Sequence, residues 1–469
     1  MPDSAALRPQ ARPAAAAMPR PGRVALTGWG RTAPTVAELA EPAGLAEVPT
    51  LVTSAPGRGV IARGLGRSYN NAAQNGGGRV IRTTRMNRIT DLDPASGLVT
   101  CEAGVSLEQL MIAALPLGWF VPVSPGTRQV TIGGAIAADV HGKNHHRAGS
   151  FARHVVSLDL LTADGEVRVI TPVDSPGLFW GTAGGMGLTG IILRATLALT
   201  RVETARVRVD TVRAADIDET MASLAAADSS HGYTVAWADC LARGASLGRS
   251  VITSGDFAAV SDLPRRRRAD PLRFSAGSLA TAPPVFPDGL LNHRTVALLN
   301  EAWFRKAPRR RIGELQSIGA FFHPLDGIRN WNRVYGPAGF LQYQYVVPFG
   351  QEQAVRSSFE RISQARAPSF VTVLKRFGPG NPGLLSFPLP GWTLALDFPA
   401  RTPGLASLLD GLDELVLAAG GRVYLAKDAR VRPGTLARMY PRLDAFRQLR
   451  AQIDPGGIFV SDLARRLSL

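Results

Sequence analysis

The sequence predicts an α+β fold in two parts: an N-terminal domain organised around glycine loops, and a second domain built on an antiparallel sheet with flanking helices. Three observations carry this. Short apolar segments run into glycine clusters at Arg63-Gly64-Leu65-Gly66-Arg67-Ser68-Tyr69, at residues 125–144 and at Gly184-Gly185-Met186-Gly187-Leu188-Thr189-Gly190. From about residue 205 to 420 the pattern changes to alternating apolar and polar residues separated by helical stretches, which suits strands with one covered face. The final segment returns to dense motifs, Gly421-Arg422-Val423-Tyr424-Leu425-Ala426-Lys427-Asp428, Met439-Tyr440-Pro441 and Asp454-Pro455-Gly456-Gly457-Ile458-Phe459, with no internal repeat and no long linker.

The elements follow in order. Residues 1–20, rich in Ala, Pro and Arg, predict a disordered tail, and the run Ala14 to Ala17 is too short for a signal-peptide apolar region. The first domain is placed at 21–204, the second at 205–421, and 422–469 is read as a return to the first. Val60-Ile61-Ala62 is a strand entering the first glycine loop, and Val80-Ile81-Arg82 and residues 97–104 are further strands. Ser106 caps a helix over 107–115, with Glu108 and Gln109 in its first turn. Residues 155–161 and 167–170 form a hairpin around the Asp164-Gly165 turn, and 191–199 is a strand after the third glycine cluster. In the second domain the alternating strands are 206–209, 340–347, 370–375 and 392–398. Gln342 and Gln344 share a side with Phe340, because strand side chains alternate. Two amides pointing the same way form a hydrogen-bonding surface or a solvent-facing polar stripe.

The block Pro125-Gly126-Thr127-Arg128-Gln129-Val130-Thr131-Ile132-Gly133-Gly134-Ala135-Ile136-Ala137-Ala138-Asp139-Val140-His141-Gly142-Lys143-Asn144 is the most informative stretch. Glycine allows close backbone approach and positive φ, and successive free N–H groups make a concave anion site. Two such loops about sixty residues apart suggest a dinucleotide held from two sides. A Rossmann site is excluded by spacing: Gly64 and Gly66 give only G-x-G, Asn70 stands where the third glycine belongs, and 70–78 is turn-rich instead of helical.

Composition bounds the rest. With 469 residues there is room for two or three domains. No 18-residue apolar run exists to cross a membrane. Cys101 and Cys240 are too few for a disulfide framework. Net charge is +16, from 53 basic and 37 acidic residues, a balance that favours anionic partners. No helix-turn-helix, zinc or RNP-like pattern supports nucleic acid, so no nucleic-acid partner and no metal site are expected. The runs Arg265 to Arg268 and Arg309 to Arg311 are read as loops, either solvated or poorly ordered until they meet an anionic membrane surface.

These motifs together resemble flavin oxidoreductases of the vanillyl-alcohol-oxidase type, whose PCMH-type domain binds FAD in two parts beneath a separate substrate domain. Within that superfamily, Thr27-Gly28-Trp29-Gly30-Arg31, His141-Gly142-Lys143-Asn144-His145-His146, Phe340-Leu341-Gln342-Tyr343-Gln344 and Ala426-Lys427-Asp428 look like the actinobacterial decaprenylphosphoryl-β-D-ribose 2′-oxidases, from about residue 24 to the C-terminus. The resemblance implies oxidation of the ribose 2′-hydroxyl of a polyprenylphosphoryl sugar to a ketone. An NADH-dependent short-chain reductase then completes epimerisation to the arabinose form used in cell-wall arabinan. It implies non-covalent FAD, peripheral attachment at the cell envelope, and one proton to be managed at the sugar. By position, Lys427 is the first candidate for that proton or for stabilising the alkoxide, and His141 the second. Arg63, Gly64, Leu65, Gly66, Arg67, Ser68 and Tyr69 would wrap the cofactor, with Gly126, Thr131, Ile132, Gly133, Gly134, Ala138, Asp139 and His141 opposite and Ile192 and Tyr424 alongside. Tyr69, Lys143, Gln342, Gln344, Lys375, Thr393 and Ala395 would line the sugar-phosphate pocket, with Lys143 and Lys375 supplying positive charge and Trp237 and Phe322 as apolar walls. The competing enzyme reading is an FAD-dependent alditol or aldonolactone oxidase acting on a free sugar, which would share the glycine loops. A binding protein for nucleic acid or another anionic surface would explain the Arg runs and leave the loops without purpose.

The chain departs from these relatives on one strand. Those captured by covalent nitroaromatic inhibitors carry a cysteine in the strand matching 392–398, where this chain has Ala395, and Thr393 replaces their usual asparagine. Oxidase chemistry is expected to persist, because alanine removes no group the reaction needs. Intact mass after turnover with such a compound should equal that of the untreated protein; a stable adduct on this strand would refute the expectation.

Overall fold

The structure, a computed structural model, describes residues 22–469. The tail expected at 1–20 lies outside the described residues.

Three sheets carry the fold. The first places Gly22–Leu26, Thr35–Ala40, Arg79–Arg82 and Val60–Arg63 side by side, the outer pair antiparallel and the rest parallel. The second is antiparallel, in the spatial order Ile89–Leu92, Leu98–Glu102, Ile191–Ala198, Val155–Leu161 and Val167–Ile170. Its hairpin turns at Gly165, whose φ of +85° needs glycine. The helix Leu107–Ala114 starts at a complete capping box: Ser106 Oγ accepts from Gln109 N, and Gln109 Oε1 accepts from Ser106 N at 2.9 Å.

The third sheet has eight antiparallel strands, in the order Arg310–Ser317, Arg206–Ala214, Ser250–Phe257, Tyr233–Ala238, Thr372–Phe377, Gly391–Pro399, Phe340–Pro348 and Arg422–Val423. Period-two alternation divides its central strands cleanly. Leu374, Leu394, Leu396, Tyr343 and Tyr345 are buried on one face. There Tyr343 Oη donates to Asp413 on the helix Leu405–Ala418, and Tyr345 Oη donates to Ser358 on the helix Glu352–Gln364. The other face carries Gln342, Gln344, Asp397, Ala395, Thr393 and Lys375, which directly oppose one another in the ladder. Helices cover the first face; the 125–144 block of the glycine-loop half meets the second through His141.

Two expectations are corrected. The strand read at 370–375 runs instead over Thr372–Phe377. The Ser369 hydroxyl accepts from Asp397 N and Thr372 Oγ1 and donates to Val371 O, competing with the backbone bond from Asp397 N to Val371 O at the start of the ladder. Arg309 to Arg311 is not a loop: Arg310 and Arg311 begin the edge strand, paired with Val212 and Thr211. Backbone pairing does not depend on side-chain polarity, and charge on an edge strand deters unwanted pairing. Arg265–Arg267 forms a short 3₁₀ turn, and Arg268 donates to the Leu263 and Ser261 carbonyls. Among the described residues, six strands longer than two residues carried no sequence reading: Gly22–Leu26, Thr35–Ala40, Ile89–Leu92, Tyr233–Ala238, Ser250–Phe257 and Arg310–Ser317.

The C-terminal segment closes back on the first sheet. Val60 N donates to Ile458 O at 2.7 Å and Val460 N to Val60 O at 3.0 Å, and Phe459 is buried in the core behind them. The buried Asp454 carboxylate accepts from Ile458 N and Phe459 N, both at 2.8 Å. Asp454→Ala would leave those donors unpaired, and urea denaturation should show a loss of about 2 kcal/mol; a change within about 0.5 kcal/mol would mean the return segment is held by apolar contact alone.

Candidate active site

The site lies where four distant segments meet. The strand Val60–Arg63 delivers the first glycine loop, and Gly66 turns it with φ +65°. The loop is clasped on one side by the 27–31 motif, Trp29 N donating to Ser68 O at 2.7 Å, and on the other by the C-terminal motif, Tyr69 N donating to Ala426 O at 3.0 Å. Gly64 lies so close to Thr131 that a Cβ would collide with its Oγ1. Thr131 in turn caps the short helix Ile132–Ala137 through Gly134 N. The two glycine loops are therefore in contact, and glycine at 64 is what allows it.

The block 125–144 then runs under the polar face of the large sheet. Gln344 Nε2 donates to His141 Nε2 at 2.9 Å and to Thr393 Oγ1 at 3.1 Å. That contact makes His141 Nε2 an acceptor and puts the ring proton on Nδ1, which is buried without a protein partner. Burial, then Lys375, His145 and Lys427, hold the His141 pKa well below its ordinary value, so the ring is neutral. Tyr424 joins the same knot: its N donates to Gln344 O at 2.9 Å and its hydroxyl to Ala138 O at 2.7 Å, with its ring stacked on Phe387.

Three lysines converge here. Lys143 donates to the Phe321 carbonyl and lies 4.2 Å above that ring's centre. Lys427 sits 3.7 Å above the Tyr69 ring, and Lys375 stands opposite Thr393 in the ladder. Burial pulls Lys143 down to about 7, with Lys375 adding repulsion, and pulls Lys375 down to about 8. Burial also lowers Lys427; Asp397 opposes this and Lys375 adds to it. Asp397 is shifted upward by its own burial, against the Gln342 hydrogen bond and the Lys427 charge. Among the described residues no carboxylate forms an ion pair with any of the three. Desolvated, weakly compensated ammonium groups of this kind gain from an incoming anion.

The remaining sequence candidates divide by what their side chains touch. Ala395 is half-buried on the polar face, in one cross-strand row with Gln344, Val373 and Trp237; Trp237 also meets Trp303 edge-on, with 6.3 Å between ring centroids. Arg63 does not reach into open space: its guanidinium donates to Thr27 O at 2.7 Å and Ala73 O at 2.9 Å, beneath the loop it shapes. Asp139, with φ +41°, accepts from Ser150, Ala152, Asn381 and Ser386, so its carboxylate is a brace between the block and 381–386. Ile192 pairs with Leu160 in the second sheet and is buried in its core. Phe322 is buried among Phe120, Tyr233, Phe257 and Phe321, inside the core and not on a pocket wall. Leu65 is exposed, while Arg67 lies 3.7 Å over the Trp29 ring. Cys101 and Cys240 are buried, their thiols pushed up to about 12.

Sequence reasoning missed Asp397, which opposes Gln342 across the ladder, and Asn70, whose amide donates to the Leu425 and Asp428 carbonyls and so holds the turn bearing Lys427. Asp397 follows Thr393 and Ala395 at the same period of two, a signal that could have placed it.

Against known proteins, the family of the FAD binding domain matches residues 36–171, and that of D-arabinono-1,4-lactone oxidase matches 400–467. With the site geometry, this defines an FAD-dependent oxidoreductase. The chain belongs to the decaprenylphosphoryl-β-D-ribose oxidase family: it is 49% identical to the decaprenylphosphoryl-beta-D-ribose oxidase of Mycolicibacterium smegmatis, over 95% of this chain and 97% of that protein. An uncharacterized Streptomyces coelicolor protein, from the mprA 5′ region, is 48% identical over 78% of this chain and its own full length. The alditol oxidase of a Streptomyces species is 24% identical over 94% and 99%. The residues present fit FAD. Arg67 Nε, Asn71 Oδ1, His141 Nδ1 and Asn144 Oδ1 are buried polar atoms lacking protein partners, and open space surrounds Gly126 in the second loop.

The lysine shifts have a thermodynamic sign. A lysine held at about 8 when folded, against an ordinary 10.5, has released its proton across that window while the unfolded chain still binds one. Stability therefore rises with pH between the two values. Lys375→Met should be more stable than wild type below pH 8 in the absence of ligand, with the advantage fading towards about pH 10. Melting temperatures across that range test this; a constant difference would place Lys375 in water.

Proposed function

We propose that this chain oxidises the ribose 2′-hydroxyl of a decaprenylphosphoryl-β-D-ribose to the 2′-ketone, the first half of its epimerisation to the arabinose form. The observation that carries the reading is the convergence of Lys143, Lys375 and Lys427 beside the Gln342/Gln344 face and opposite the glycine loops. A free alditol offers no charge to the desolvated Lys143 and Lys375; a phosphodiester does. The relative named for this substrate is similar over nearly the whole chain, whereas the alditol oxidase stands at 24% identity.

FAD, when bound, supplies the two-electron acceptor for carbinol oxidation. The chain supplies the rest. Lys143 and Lys375 hold the phosphodiester, and Gln342 and Gln344 orient sugar hydroxyls. Lys427 takes the hydroxyl proton, since its desolvation favours the neutral amine a base requires. His141 is neutral with its Nε2 occupied by Gln344, so it offers a donor at Nδ1 instead of a second base. The same occupied Nε2 favours dissociable FAD. The ketone product calls for a reductase of the NADH-dependent short-chain class to complete the epimerisation. The lipid substrate and the basic surface favour peripheral attachment to an anionic membrane at the cell envelope; no helix among the described residues is long and apolar enough to cross one.

Anaerobic addition of a prenylphosphoryl ribose should bleach the flavin absorbance, with no bleaching by free alditols or lactones. Lys427→Met should slow the bleaching by about 10²-fold or more with flavin content unchanged. Bleaching by free sugars alone would move the chain to the alditol oxidase reading.

A further inference from the structure

The amphipathic helix His293–Lys306 buries only Val296 and Asn300 and turns Leu298, Leu299 and Trp303 outward; Leu298 is 71% exposed. It borders an open groove of about 530 Å³, whose walls include Leu290, Leu298, Leu299, Leu325, Trp331 and Phe370. Contiguous exposed apolar surface of this kind marks a binding site in a soluble chain. Packed aromatic side chains link this helix and the groove wall to the candidate active site on two sides. Trp303 meets Trp237, which shares a cross-strand row with Ala395 and Gln344. Trp331 meets Trp29 edge-on, and Arg67 stacks on that ring. Phe370 lies two residues before the strand that carries Lys375.

We propose that this groove holds the first isoprene units of the substrate's lipid chain, so that an uncharged apolar channel leads away from the lysines that hold the phosphate. The ligand class rests on the prenylphosphoryl-sugar reading above. A volume near 530 Å³ accepts a drug-sized apolar segment, so a ten-unit chain overflows it. Exposed Arg294 and Arg329 are chain neighbours of the groove-lining Thr295 and Ile328, placing cations where the remaining chain would enter an anionic bilayer.

The test is calorimetric binding to the FAD-loaded protein of farnesyl phosphate and methyl phosphate, which share the anion and differ in the chain. Wild type should bind farnesyl phosphate at least about tenfold more tightly. Leu298→Asp should bring the ratio close to one, and Leu298→Phe should keep it. Val173→Asp, a similarly exposed apolar position in the other domain, should keep it as well. A wild-type ratio near one overturns the proposal. So does a ratio unchanged in Leu298→Asp, including the case where that variant only loses flotation with anionic phosphatidylglycerol vesicles, which would make the patch a lipid-surface contact. If the ratio behaves as expected while prenylphosphoryl ribose fails to bleach the flavin, the groove stands and the ribose-oxidation reading falls.

Discussion

The side chain and carbonyl of Gln344 tie together every part of this protein that the chemistry needs. The amide reaches His141 in the glycine-loop half and Thr393 on the neighbouring strand, and the carbonyl takes the Tyr424 N–H from the return segment. Tyr424 closes the circuit by donating to Ala138, back in the glycine-loop half. The side chains of this circuit are buried, so an unmade bond would carry its full desolvation penalty. The geometry is consequently stiff, and its stiffness fixes how the sheet sits over the glycine loops.

Around that knot the fold concentrates positive charge where water is scarce. The three lysines gather near Asp397, which opposes Gln342 across the ladder. Each ammonium is drawn towards neutrality, chiefly by burial. The arrangement is unfavourable for the empty site and favourable once an anion enters, which is the sense in which binding free energy is stored in a preorganised pocket. The braces that permit it are elsewhere: Asp139 is satisfied by four donors, and Arg63 by two carbonyls. These charged groups stabilise the loops without competing for a ligand.

The two halves of the chain divide the labour. The glycine loops answer to a dinucleotide whatever alcohol is oxidised. In the proposed reading, choice of substrate falls to one face of an antiparallel sheet, where a few positions at period two set charge and hydrogen bonding. Ala395 and Thr393 show how little of the framework must change for that face to be altered.

By itself the sequence determined what depends on local chain chemistry. Glycine loops, the Ser106 capping box, the Asp164-Gly165 hairpin and the alternation at 340–347 and 392–398 are written in neighbouring residues, and a dinucleotide site followed from the glycine loops. Only the tertiary structure decided which face of an alternating strand meets the other domain, because alternation defines two faces and does not say what covers either. Gln342 and Gln344 could have faced solvent; a contact spanning 203 residues turned Gln344 inward. The same holds for Asp397, which local sequence cannot distinguish from a solvent-facing carboxylate, for Phe322, drawn into an aromatic core, and for Asp139, bonded to Asn381 across 242 residues. Such contacts form only after the chain has folded, since packing and desolvation depend on residues that are remote along it.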